Sequence, residues 1–230
     1  MPKAETAARG RNGEGRSPPE GFRHIQAALS HEAQSALLTD VVAGLAAAPA
    51  FQPTMPGTGA PLSVTMSNFG PLGWVADKSG YRYQPRHPIT DEPWPAIPKT
   101  LLELYTAYAP EWPVPEACLI NLYGAEAKMG AHVDADEDAK HAPVLSVSLG
   151  ASARFRIGGP TRGGPTTSVI VASGDMVVMG GASRRCYHGV DRIIPPDPLF
   201  PPLADPRTAI GASVFRVNLT LRRVRLLTTS

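Results

Sequence analysis

The spacing of apolar residues changes character near residue 117. Before it, Ala33, Leu37, Val41 and Leu45 recur at helical intervals, with Ser30 placed to cap the first turn and Pro49 to close the last. A second helix is predicted over Lys99–Ala109, entered through Pro98, with Leu101, Leu104 and Tyr105 turned inward. From Ala117 onward the period is two. Strands are predicted at Cys118–Tyr123, Val144–Leu149, Arg154–Ile157, Thr167–Val171, Asp175–Val178, Cys186–His188 and Val214–Arg222, separated by Gly and Pro turns. Short strands at close spacing, without helices between them, predict a mainly β chain with flanking helices (α+β), a jelly roll or sandwich. Between the two helices, Pro53–Pro98 is rich in Pro, Gly and aromatics, with a strand-like run at Ser63–Ser67. Ordered connections of that length usually carry function. The segment Pro195–Pro206 holds six prolines and is expected to be a stiff surface excursion.

The chain has 230 residues, 43% hydrophobic and 18% charged, enough to bury one core. Residues 1–20 carry almost no bulky apolar groups and are expected to be a disordered tail before a single domain at 21–230. No run of about eighteen apolar residues exists, so no transmembrane helix is predicted. The N-terminus lacks the apolar stretch of a secretory signal, and a cytoplasmic protein is expected. Cys118 and Cys186 are too few for a disulfide framework or a Cys-based zinc site, and read as reduced thiols. The net charge is only +2, yet 17 of the 22 basic residues are Arg. Arg grips carboxylates and phosphates with a planar fork, although genome composition accounts for the bias equally well.

The candidate chemistry lies in the β half. His132 and Asp134, two apart at a strand end, point to the same face, and His188 comes from a later strand. Two His and one carboxylate match the facial triad of non-haem Fe(II) oxygenases. An HxD pair arises about 0.3 times by chance in a chain of this composition, so a surface His beside a solvated Asp stays open on that motif alone. The last strand adds to it: Phe215, Val217, Leu219 and Leu221 share one face, and Arg216, Asn218, Thr220 and Arg222 the other. Either the polar face is solvated, or it is buried and needs an anion, for which a dicarboxylate bonded by both guanidiniums would serve. Asn121 and Tyr123 show the same parity on their own strand.

Together these residues resemble the AlkB family of Fe(II)- and 2-oxoglutarate-dependent dioxygenases, most closely its bacterial DNA-repair demethylases. The similarity runs from about Ser63 to Arg222, through SVTMSNFGPLGW, GYRYQP, PWPAIP, ACLINLYGAEAKMGAHVDADE, APVLSVSLG, FRIGG, GDMVVMGGASRRCYHGV and FRVNLTLR. It implies a double-stranded β-helix (jelly roll) at 111–230, with His132, Asp134 and His188 as iron ligands and catalytic centre. It implies 2-oxoglutarate as co-substrate, met by Arg216 and Arg222 with help from Asn121, Leu122, Tyr123 and Asn218, and O2 as oxidant. Residues 21–110 would hold the N-terminal helices and a nucleotide-recognition lid at Pro53–Pro98. There Trp74, Tyr81, Arg82 and Tyr83 match contacts to a flipped base and its phosphates, Trp74 and His132 sandwiching the base. Asp136 matches an acidic residue facing the base, and Arg162 a substrate contact after FRIGG. Met179 departs from the family's pattern, which has Trp there, and alters one wall of the oxoglutarate pocket.

The activity so implied is oxidative demethylation of N-alkylated bases such as 1-methyladenine and 3-methylcytosine, releasing formaldehyde, succinate and CO2. Single-stranded DNA is the expected partner, because extrusion there avoids most unpairing cost. Double-stranded DNA and RNA stay open, no membrane is involved, and a monomer is expected. The alternatives are the same oxygenase acting on tRNA or protein, a nucleic-acid binder without metal, and a cupin-type jelly roll.

Overall fold

The computed structural model describes residues 17–197, 202 and 204–226. In chain order its strands are β1 (Phe22–Ile25), β2 (Thr65–Phe69), β3 (Gly73–Asp77), β4 (Gly80–Gln84), β5 (Ala117–Tyr123), β6 (Met129–His132), β7 (Val144–Gly150), β8 (Ser152–Ile157), β9 (Thr167–Val171), β10 (Met176–Met179), β11 (His188–Ile194) and β12 (Arg216–Arg222). The helices are α1 (His31–Ala47), α2 (Lys99–Tyr108) and a short α3 (Pro206–Ala209). Ser30 caps α1 by accepting from the Ala33 amide at 3.2 Å.

Six strands form one sheet in the order β1-β10-β7-β12-β5-β2, and four form a second in the order β6-β11-β8-β9. Period two sorts the six-stranded sheet into two faces. Cys118, Ile120, Leu145, Val147, Val217, Leu219 and Leu221 meet Leu37, Val41, Leu101 and Tyr105 of the helices in one core. On the opposite face, Val144, Val177 and Met179 pack with Ile157, Val171 and Cys186, closing the two sheets into a jelly roll. The same face of β12 carries Arg216, Asn218 and Arg222, and the register sets Arg216 opposite Tyr123 and Asn218 opposite Asn121. The site therefore lies between the sheets, and the helices brace it from behind.

Several expectations change. The first 16 residues of the expected tail lie outside the described residues, but Glu20 and Gly21 are already bonded to the chain through Ser183 and Gly180. The run at Ser63–Ser67 becomes β2, a strand of the large sheet paired with β5, so the lid narrows to the hairpin β3–β4. Cys186 is no strand residue. It follows a 3₁₀ turn, Gly181–Arg185, and the strand begins at His188. The proline-rich excursion is partly outside the described residues, and its end is no surface feature: Ala204, Asp205 and Pro206 are buried. Strands β1 and β6 carry no clean alternation and were not foreseen.

Candidate active site

β6 ends on His132 and β11 begins on His188, and the two pair directly across the small sheet. Gly189 makes this close pairing possible, since a Cβ there would sit 2.5 Å from the Met129 carbonyl oxygen. Asp134 follows two residues after His132, and one ligand atom from each of the three lies within 4.8 Å of the others. Both rings bond a backbone carbonyl through Nδ1, His132 to Gly130 at 2.9 Å and His188 to Cys186 at 3.1 Å. A carbonyl only accepts, so Nδ1 carries the proton and each Nε2 presents its lone pair toward Asp134. Burial pushes His188 down to about 4, which keeps it neutral and ready to ligate. Burial alone would raise the Asp134 carboxyl, but the Arg222 guanidinium beside it holds it well below the ordinary carboxylate range. Its Oδ2 is buried without a hydrogen-bond partner. Two imidazole nitrogens and one carboxylate with an orphaned oxygen fit a divalent iron.

Deeper in, Arg216 is buried, and no carboxylate pairs with it among the described residues. Its Nη1 donates to the carbonyls of Ala151 (2.9 Å) and Val171 (3.3 Å), and its Nη2 to Ser148 Oγ (2.6 Å). Burial lowers it to about 10, and Nε is left without a partner. The buried Oδ1 of Asn121 is also orphaned. Tyr123 faces the same space, its phenol pushed up to about 12 by burial. A guanidinium so placed calls for an anion, which a dicarboxylate supplies. Asn218 supports the cradle by donating to Ser146 Oγ and the Val147 carbonyl. Leu122 has the wrong parity: its side chain packs in the helix-side core, away from the cradle. Met179 lies in the inter-sheet cluster beside Cys186, filling the family's tryptophan position with a smaller apolar group.

Arg222 does not match Arg216. Its Nη2 donates to Asp134 Oδ1 at 2.6 Å, and its Nη1 to the Tyr83 hydroxyl and Glu137 Oε1 at 3.1 and 3.3 Å. Only Nε lacks a partner. Its Nη atoms thus hold a metal ligand and its neighbours, and Nε is the atom left for the co-substrate carboxylate the resemblance assigns to it. Glu137 and Arg184 complete that cluster, and the motif reading missed both. Each is only 2% exposed, and Arg184 Nη2 donates to Glu137 Oε2 at 3.0 Å. Arg184 also donates to the carbonyls of Asp134 and Ala142, tying down the loop that carries the carboxylates. The available signal was a charged residue within each of two otherwise absorbed motifs, DADED and SRRCYH.

On the lid hairpin Trp74 and Tyr81 stack at 5.5 Å with 19° between their planes. Trp74 Nε1 donates to Asp136 Oδ2 at 2.7 Å. One flank of Trp74 thus meets Tyr81, while the ring nearest His132 is His188, 4.4 Å away. Tyr81 is 45% exposed, but Tyr83, two residues on, turns its hydroxyl inward to Glu137 at 2.5 Å. Tyr83 is therefore part of the inner cluster rather than the open platform. Arg82 points the other way, pairing with Asp77 at 2.8 Å. Arg162 is exposed in the loop between β8 and β9.

The family model of the 2OG-Fe(II) oxygenase superfamily matches residues 21–222. The AlkB homolog of Caulobacter vibrioides, an alpha-ketoglutarate-dependent dioxygenase, is 46% identical over 206 residues, 89% of this chain and 88% of its own. The dioxygenase AlkB of Salmonella typhimurium is 40% identical over 85% of this chain and 87% of its own. The solved structure of OsALKBH1 superposes with a TM-score of 0.71 at 26% identity, covering 91% of this chain and 99% of that one. With a triad suited to iron and a buried guanidinium awaiting an anion, the chain belongs to the 2OG-Fe(II) oxygenase superfamily and, within it, to the AlkB dioxygenases, which use Fe(II), 2-oxoglutarate and O2.

Proposed function

We propose that this protein oxidatively demethylates N-alkylated nucleobases such as 1-methyladenine and 3-methylcytosine, preferring single-stranded DNA, and so repairs alkylation damage. The observation that carries the reading is Asp136: an exposed carboxylate two residues from Asp134, held by the indole of Trp74 on a stacked aromatic pair. Methylation at N1 of adenine or N3 of cytosine makes the ring cationic, and a carboxylate beside an aromatic face favours a flat cation over the neutral, unmodified base. A methyl on a ring nitrogen is reachable only once the base leaves the stack, which costs least in a single strand.

Bound iron and 2-oxoglutarate would supply the activation of O2, one oxygen atom of which goes to the co-substrate as it becomes succinate and CO2 and the other to the N-methyl carbon, which leaves as formaldehyde. The chain's own residues do the rest. His132, Asp134 and His188 would hold the iron, and Arg216, Asn121 and Tyr123 would seat the co-substrate. Trp74, Tyr81 and Asp136 would orient the base, with Arg162 and Arg82 toward the phosphates. The sheets bury Asp134 and His188, while His132 stays open on the substrate side. Two buried free thiols, Cys118 and Cys186, suit a reducing, cytoplasmic setting, and we infer a monomer.

The test is a single-stranded oligonucleotide carrying one 1-methyladenine, incubated with Fe(II), 2-oxoglutarate and ascorbate, then weighed by mass spectrometry beside a His132→Ala control. Loss of the mass of one methylene, absent in the control, is the expected result. Succinate release with an unchanged oligonucleotide would overturn the substrate and direct the search to tRNA or protein.

A further inference from the structure

Glu137 is a buried carboxylate that neither the triad nor the substrate platform uses. Four charges meet around it: Asp134 and Glu137, both acids, and Arg184 and Arg222, both guanidiniums. They cancel formally, so the cluster can stay buried, and every member is fixed by what its neighbours accept or donate. Arg184 holds Glu137 from one side through Nη2 and fixes the loop through the Asp134 and Ala142 carbonyls. Glu137 Oε1 accepts from Arg222 Nη1 and from the Tyr83 hydroxyl, while the Tyr83 oxygen accepts from Arg222. Arg222 is left with one direction for Nη2, onto Oδ1 of Asp134. The result is an Asp134 whose Oδ2 is unpaired and an Arg222 whose Nε is unpaired.

We propose that Glu137 is a positioning residue: clamped by Arg184 and bonded by Tyr83, it orients Arg222 so that Asp134 offers one oxygen to iron and Arg222 Nε faces the co-substrate. Tyr83 hangs from β4 of the lid hairpin, so this orientation depends on the lid being seated. The inference rests on the oxygenase assignment and not on the nature of the nucleobase.

The test uses the full chain loaded with Mn(II), and titrates 2-oxoglutarate by calorimetry in the wild type, Tyr83→Phe, Glu137→Gln and Lys99→Ala proteins. Tyr83→Phe removes one hydroxyl and is expected to weaken 2-oxoglutarate about three- to tenfold, the worth of one ordinary hydrogen bond. Glu137→Gln should weaken it further, and Lys99→Ala, an exposed change on α2 away from the cluster, should leave it unchanged. Hydrogen exchange supplies a second readout: 2-oxoglutarate should protect the amides of residues 73–84 in the wild type and not in Tyr83→Phe. Should Glu137→Gln fail to fold, Tyr83→Phe still decides. Lower melting temperatures with unchanged 2-oxoglutarate affinity would assign the cluster to stability alone and overturn the proposal. So would wild-type hairpin exchange that ignores 2-oxoglutarate. Neither arm contains nucleic acid, so failure here is separable from failure of the demethylase reading.

Discussion

Asn121, Tyr123, Arg216 and Asn218 hang from strands hydrogen-bonded on both sides, β5 between β12 and β2, and β12 between β5 and β7. Trp74, Tyr81 and Tyr83 hang from a hairpin whose two strands pair only with each other. The hairpin is anchored by the buried Val75 and by the Thr54 amide on the Ala76 carbonyl, while its aromatic face is set by a handful of side-chain bonds: Asn68 to the Trp74 backbone, Trp74 to Asp136, Tyr83 to Glu137 and Trp94 to the Gln84 carbonyl. The co-substrate cradle is thus set by ladder geometry, which a single side chain cannot shift. The recognition platform is set by individual contacts, each of which can be altered without disturbing the sheets. Under the proposed function, the chemistry sits on the rigid part and base recognition on the adjustable part.

Removing a ligand breaks the rigid half most severely. Asp134→Ala should lower metal affinity by about 100-fold or more, seen by Mn(II) titration, and take succinate release to background. Arg216→Ala should raise the KM for 2-oxoglutarate by roughly 30- to 1000-fold, the cost of truncating a buried charged partner, with metal binding retained. Leu219 lies on the same strand but faces the helices. Leu219→Ala should cost about 2–5 kcal/mol of stability in urea unfolding, while turnover per folded molecule stays unchanged. That pair separates the two faces of β12. On the adjustable half, Trp74→Ala should weaken binding of the methylated oligonucleotide by about 5- to 100-fold, one base-stacking contact, with metal binding retained.

The smallest effect concerns pH and the edge of the large sheet. Asp175 bonds His24 of β1 at 2.9 Å and accepts from the Ala27 and Ala172 amides. Burial alone would raise its carboxyl, but these partners hold it below the ordinary value of 3.8. A depressed carboxylate contributes stability above its unfolded pKa and loses it as pH falls through the folded one. Stability should therefore drop between about pH 5 and pH 3, and Asp175→Asn should flatten that limb by roughly 1 kcal/mol in urea midpoints.

Much of this was legible one residue at a time. The alternation in VLSVSL, ACLINLY and FRVNLTLR determines which side chains share a face, because a strand has period two whatever it pairs with. The HxD spacing, the later His and the two arginines flanking Asn218 needed only that parity and their order. Strand β6 was not legible, since four residues inside a glycine- and charge-rich loop carry no pattern until β11 pairs with them. Leu122 was misassigned because proximity in sequence to Asn121 and Tyr123 is not proximity in space: its parity sends it to the opposite core.

By itself, then, the amino-acid sequence determined the two-faced strands, the helices behind them and which side chains on them could hold a metal. Each of these depends on backbone periodicity or on the chemistry of one residue type. Only the tertiary structure decided that Arg222 serves Asp134, that Tyr83 turns inward while Tyr81 stays open, and that Arg184 and Glu137 are buried partners. A charged residue looks the same in sequence whether solvated or buried, and its role is set by which partners the fold brings within hydrogen-bond distance.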